Sequence, residues 1–188
     1  MLLDLITRNR SYRRFCQDVA IEGDTLRTLV NLARLSASAG NKQPLKYFLS
    51  CDTTTNSVIF RTLAWAAYLK DWQGPEEGER PSAYIVVLGD TTISNRFEVD
   101  AGIACQSILL GAAELGLGGC ILASIDRPKL RESLGLPVEY EILLVIALGK
   151  PKETVVLETA DGDIKYWRDA TGIHHVPKRP LDEIILSK

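Results

Sequence analysis

A mixed α+β domain is what this sequence predicts, and three observations carry the expectation. The stretches AYIVVLGD (83–90) and EILLVIALG (141–149) are short, almost continuously apolar and contain β-branched residues, the pattern of strands buried on both faces. Between them, RFEVDAGIACQSILLGAAELG (96–116) has helical length and apolar residues on more than one face, as in a helix at the centre of a fold. Amphipathic helices precede the first of these strands. Without a repeat, a low-complexity tract or a clear linker, residues 1–188 are expected to form one domain, long enough to bury roughly 70% of the unfolded surface.

The elements follow in order. Leu2, Leu3, Leu5 and Ile6 mark a short amphipathic helix over 2–9 that delivers an arginine-rich, extended stretch. Asp24 suits the N-cap of a second helix, with Leu26, Leu29, Val30 and Ala33 on one face. That helix ends in SASAGNKQP (36–44), where Gly40 and Pro44 are breakers. YFLSC (47–51) reads as a strand, 56–72 as a helix and GPEEGERP (74–81) as a polar loop. After the central helix, GGCILA (118–123) is a strand, and Asp126 to Leu134 is a short helix with Pro128 in its first turn. Residues 152–180 carry only a strand-like trace near IKYW (164–167), and a polar tail of this length is expected to wrap around a partner.

Charge and cysteine usage exclude several classes. Lys and Arg number 22 against 24 Asp and Glu, a net charge of −2, so neither nucleic acid nor an anionic membrane is an expected partner. Cys16, Cys51, Cys105 and Cys120 form no CxxC pair and sit beside apolar residues, which predicts buried thiols in a reducing compartment. MLLDLITRNR lacks the apolar core and cleavage site of a signal peptide, and the longest apolar run, Ile142 to Leu148, is far short of the ~20 residues that span a bilayer. A cytoplasmic protein is expected.

Three stretches carry candidate chemistry. ELGLGGC (114–120) has the glycines of a dinucleotide fingerprint in the wrong context, after a helix and before a strand; a cap and tight turn explain them better. RNRSYRRF (8–15) concentrates four arginines in a slightly acidic chain. In extended backbone Ser11 and Arg13 share one face, and with Arg10 they could hold a phosphate monoester. Ser38, Asn41 and Gln43 offer hydroxyl and amide groups suited to the edge of a planar heterocycle, and Lys178 and Arg179 form a second basic cluster. His174 and His175 read as exposed loop histidines and a poor metal site. Phe60, Trp65, Tyr68 and Trp72 could form a lid, although aromatics at helical spacing more often belong to a core or an interface.

Together, NRSYRRF (9–15), SASAGNKQP, VDAGIACQSILLGAAELGLGGCIL (99–122), GKP (149–151) and VPKRPLDEII (176–185) resemble, in this order, the motifs of the nitroreductase superfamily of FMN-dependent oxidoreductases. The resemblance covers nearly the whole chain. It implies a central, mostly antiparallel sheet flanked by helices and an intertwined homodimer with exchanged C-terminal tails. It further implies FMN at the subunit interface, with Arg10, Ser11, Arg13, Lys178 and Arg179 on the phosphate. Ser38, Asn41 and Gln43 would reach the flavin from the other subunit, and Ala123 and Ser124 would bring backbone groups to its N5 edge. Arg10 is also a candidate for the N1–O2 edge. Asn9 stands where the family has a first arginine. The implied activity is ping-pong hydride transfer from NADH or NADPH, through flavin N5, to a nitroaromatic, a quinone or another small acceptor. Other flavin chemistry on the same fold, or a flavin-binding dimer without enzymatic activity, remains open, as do the acceptor and the NADH or NADPH preference.

Overall fold

In the computed structural model, which describes residues 1–186, the two apolar runs lie side by side at the centre of a five-stranded sheet. Strand β3 (Ala83–Asp90) pairs antiparallel with β5 (Tyr140–Pro151) on one side and with β2 (Leu45–Ser50) on the other. The far edge of β5 is long enough to pair with two strands in succession. One is β4 (Gly118–Leu122), against 145–149, and the other is the two-residue β1 (Phe15–Cys16), against Lys150 and Pro151. Every pairing in this sheet is antiparallel. The register of β3 and β5 breaks between Val87 and Leu88, and the Arg127 guanidinium donates to the carbonyls of Ile142 and Leu143 beside the break.

Because side chains alternate along a strand, the sheet has two apolar faces. Ile85, Val87, Ile146 and Leu148 pack against α2 (Gly23–Leu35) and α4 (Glu98–Glu114). Tyr84, Val86, Val145 and Ala147 pack on the other face, with α3 (Thr53–Phe60), α5 (Arg127–Leu134) and Trp65. Gly111 lets α2 approach α4 closely, since a Cβ there would meet Leu32 and Leu29. The α1 helix (Leu2–Arg8) lies against α4. No helix among the described residues is long and apolar enough to cross a membrane.

Four expectations change. The helix foreseen over 56–72 is instead α3, from Thr53 to Phe60, capped by Asp52 accepting from the Thr55 N–H. Beyond it the chain turns, with Ala66 at a left-handed φ of 41°, and Ala64 N–H bonds to the Ser124 carbonyl. The helical spacing there reflects a shared destination, because Phe60, Trp65 and Trp72 all join the second core. Helix α2 begins at Gly23 with Glu22 at its N-cap, one turn position earlier than Asp24 would require. Only Cys105 and Cys120 are buried; Cys16 is half-buried and Cys51 exposed. Finally, the tail is structured on its own chain. Strands β6 (Val155–Thr159), β7 (Trp167–Arg168) and β8 (His174–Lys178) form a small sheet, and the four-residue α6 (Leu181–Ile184) follows.

Candidate functional site

The arginine stretch is extended and docked on β4. Ser11 bridges Gly119 in parallel, and the Tyr12 N–H donates to the Gly119 carbonyl at 3.0 Å. This close approach needs glycine: a Cβ at 119 would stand 2.6 Å from the Ala147 carbonyl oxygen, and one at 118 would meet the Tyr12 ring. The glycine pair that superficially suggests a nucleotide loop thus makes the bed for the arginines. Gly116, at φ 71°, supplies the turn from α4.

Two carboxylates then sort the arginines. Glu79 takes Arg14 in a two-pronged contact, Nε at 2.5 Å and Nη2 at 2.6 Å, with Lys152 alongside, and the Arg14 bonds hold the Glu79 carboxyl down at about 2. Glu153 is buried beneath the stretch. Its Oε1 accepts from the backbone N–H of Arg13 (2.5 Å) and of Arg14 (3.2 Å), and its Oε2 accepts from Arg168 (2.9 Å). Arg14 is therefore spent on the scaffold, and Arg13 is left facing the other way.

Arg10, Ser11 and Arg13 line one cavity of about 250 Å³ together with Tyr166, His174 and Lys178. Arg10 Nη2 donates to the Ile6 carbonyl, and Arg13 lies 4.8 Å from the Tyr166 ring centre, with Nη1 3.3 Å from His174 Nε2. Among the described residues none of Arg10, Arg13 and Lys178 is ion-paired. Arg179 pairs with Glu183 and is not among the residues lining this cavity. Three cations converging without a counter-charge, with the Arg10 Nε and His174 Nδ1 lacking partners, suit an anion such as the phosphate end of a cofactor.

The histidines differ from the sequence reading. His174 is 1% exposed on β8, and burial, with Arg13 and Arg168 nearby, pushes it down to about 4. It is therefore neutral near pH 7, and with Nε2 facing an arginine donor its proton belongs on Nδ1. His175 lies flat on Trp167, ring centres 4.0 Å apart, between Glu158 and Asp169. The Glu158 bond raises its pKa. Polar flanks disguised two strand residues as a loop. The aromatic segment divides likewise: Trp65 is buried and Trp72 half-buried against the core, while Tyr68 is 49% exposed and pairs with Tyr166 at 4.9 Å.

Ser38, Asn41 and Gln43 occupy a second place in the chain. Asp100, buried in the first turn of α4, accepts from the Ser38 hydroxyl (2.5 Å) and the Ala39 N–H (2.9 Å). The Ser38 oxygen in turn accepts from the Gln43 N–H. Asn41 and Gln43 have φ of 53° and 51°, left-handed values that cost non-glycine residues energy and that cluster at functional sites. Ser38, Gln43 and Asp100 line a cavity of about 170 Å³ that shares no residue with the arginine cavity. Ala123 and Ser124 are exposed beyond the end of β4, and the Ser124 carbonyl accepts from Ala64. Asp100 and Glu153 were missed by sequence reasoning. A lone aspartate inside an apolar helix could have flagged the first, whereas GKPKE carried no sign of the second.

An antiparallel sheet sandwiched between helices, with an N-terminal cationic cradle seated on its β4 edge, defines an α+β small-molecule-binding class. A family profile described as the nitroreductase family matches residues 6–150, and the chain belongs to that family. It is 29% identical over 167 residues to an Archaeoglobus fulgidus protein named as an NADH dehydrogenase/NAD(P)H nitroreductase, covering 85% of this chain and 90% of that one. Among solved structures, a nitroreductase family protein from Streptococcus pneumoniae superposes with a TM-score of 0.72 at 19% identity over 100% of both chains. An FMN-dependent nitroreductase from Clostridium difficile gives a TM-score of 0.66 at 22% identity, covering 86% of this chain and 92% of that one.

Proposed function

We propose that the protein is an FMN-dependent NAD(P)H oxidoreductase, and the observation that carries this reading is the cradle of Arg10, Ser11, Arg13 and Lys178 with no carboxylate of its own. Family membership and the names of the relatives support it. Bound FMN would supply reversible hydride chemistry at its N5 position. The chain's own residues bind and orient. Arg13, held by Glu153 and Tyr166, and Arg10, held by Ile6, take the phosphate through charge-assisted bonds, with the Ser11 hydroxyl and Lys178 beside them. Arg179 would join only by leaving Glu183. From Gly119, beside Ser11, to Ala123 the strand runs roughly 13 Å at about 3.3 Å per residue, so a ligand anchored at Ser11 and laid along β4 reaches the backbone of Ala123 and Ser124.

The cradle and the Ser38–Gln43 loop are separate within one chain, which favours a homodimer in which the partner's loop completes each site. Exposed Leu2, Leu3, Leu35, Val99 and Leu115 on α1, α2 and α4, and Leu181, Ile184 and Ile185 after β8, offer the apolar surface for such an interface and for exchange of the tail ends. Donor and acceptor would occupy the same face in turn, in ping-pong order, and a nitroaromatic or a quinone suits the acceptor role. With no membrane-crossing helix among the described residues, a cytoplasmic setting is part of this proposal.

Titration of the purified protein with FMN tests the assignment. Saturable binding of about one FMN per chain, weakened at least about tenfold in Arg13→Ala, is the expected result, since one charge-assisted bond contributes ~1.5–3 kcal/mol. Unchanged affinity in that variant removes the cradle from the account.

A further inference from the structure

A larger cavity, of about 350 Å³, lies away from the arginine cradle and shares no lining residue with it. It opens between α3 and the residues leading into β3, and its walls include Asn56, Phe60, Pro81, Arg80, Ser82 and Tyr84. Seven buried side-chain polar atoms lack a partner among the described residues; three of them, Arg80 Nε, Ser82 Oγ and Tyr84 Oη, belong to these walls. Two more, Arg10 Nε and His174 Nδ1, belong to the cradle. Buried polar groups are paired in the great majority of cases, so this concentration marks the cavity as it marks the cradle.

The walls are fixed by bonds that leave these three groups free. Asn56 is fully engaged, accepting from Ser50 and donating to the Ser82 carbonyl, both at 2.7 Å. Gln17 Oε1 accepts from the N–H groups of Gly78 and Arg80, and its Nε2 donates to Glu77, pinning the loop that carries Arg80. The Arg80 guanidinium lies 4.5 Å from the Phe60 ring centre, with Nη1 on Glu77, a carboxylate that is 72% exposed. Tyr84 is 1% exposed, and burial pushes its hydroxyl well above its ordinary value, so it remains an O–H donor.

The chemistry of the set selects a ligand class. An arginine Nε–H can only donate, and the tyrosine and serine hydroxyls beside it donate as well, so the ligand must present acceptors. One cation, already shared with Glu77, matches a single negative charge better than the double charge of a phosphate monoester. Phe60 and Pro81 offer the apolar wall for a compact body, and the volume lies at the small end of the ~300–1,000 Å³ range of ligand pockets. We propose that this cavity is a second small-molecule site, binding a compact monocarboxylate whose oxygens take the Tyr84, Ser82 and Arg80 donors while its apolar body lies against Phe60.

Benzoate is a suitable probe. It is titrated into the FMN-loaded protein by calorimetry while flavin absorbance is followed, for the wild type, Tyr84→Phe and Arg80→Gln. Tyr84→Phe removes one oxygen and keeps the packing, so it reports on the site even if Arg80→Gln disturbs the loop. The expected result is saturable binding, weakened about tenfold or more in each variant, with no change in the flavin spectrum. Absence of saturable binding overturns the proposal. So does binding that Tyr84→Phe retains in full, or binding that shifts flavin absorbance, which would place benzoate at the flavin instead.

Discussion

Replacing Glu153 should unseat the arginine stretch as well as weaken the fold. Its side chain is 1% exposed and accepts three bonds, two from the backbone of Arg13 and Arg14 and one from Arg168. Glu153→Ala leaves the buried Arg168 guanidinium and two N–H groups without their acceptor. Breaking a buried pair in this way costs about 3–5 kcal/mol, which in a chain of this size lowers Tm by roughly 6–20 °C. Glu153→Gln keeps an oxygen for the two N–H groups and loses the charged bond to Arg168, at a cost of about 1.5–3 kcal/mol or roughly 3–12 °C. Thermal unfolding of the three proteins gives the order wild type, Gln, Ala. FMN titration at a temperature where all are folded should show affinity falling in the same order, because Arg13 loses its anchor. If Glu153→Gln melts with the wild type and binds FMN equally well, Glu153 does not position the cradle.

Other outcomes follow from the same geometry. His174 binds a proton only near pH 4 when folded, against about 6.5 when unfolded, so the unfolded state takes up the proton first and stability falls as pH drops between these values. Urea unfolding should therefore show wild type losing about 2 kcal/mol between pH 7 and 4.5 that His174→Gln does not lose. Asp100→Asn leaves only one oxygen for the Ser38 hydroxyl and the Ala39 N–H, which should cost about 1–2 kcal/mol and speed hydrogen exchange at 38–43. Light scattering should give twice the chain mass, and dilution below the dimer dissociation constant should release FMN; a monomer that keeps FMN contradicts the shared site.

Much of the fold was legible because its determinants are local. The buried strands AYIVVLGD and EILLVIALG and the central helix announce themselves by apolar content and length, and all appear where the sequence places them. The motif of Arg10, Ser11 and Arg13 was legible because excess charge in a near-neutral chain needs a reason. What failed depended on tertiary packing. The spacing of Trp65, Tyr68 and Trp72 resembles a helix, yet the segment turns at Ala66 and is held by Ser124 across the fold. His174 looked exposed because its neighbours are polar, and only the pairing of β8 with β6 buries it. Glu153 and Asp100 bond to partners 140 and 62 residues away, separations that leave no local pattern.

The central claim, that this chain uses a bound flavin to pass hydride from a nicotinamide donor to an acceptor, is tested most directly by anaerobic mixing. The FMN-loaded protein is mixed with NADH and, separately, with NADPH while flavin absorbance is followed; a quinone or a nitroaromatic is then added. The account predicts rapid bleaching by at least one donor and recovery of the oxidised spectrum on addition of the acceptor. Bound flavin that neither donor bleaches would contradict it, leaving a chain that holds FMN without acting as an NAD(P)H oxidoreductase.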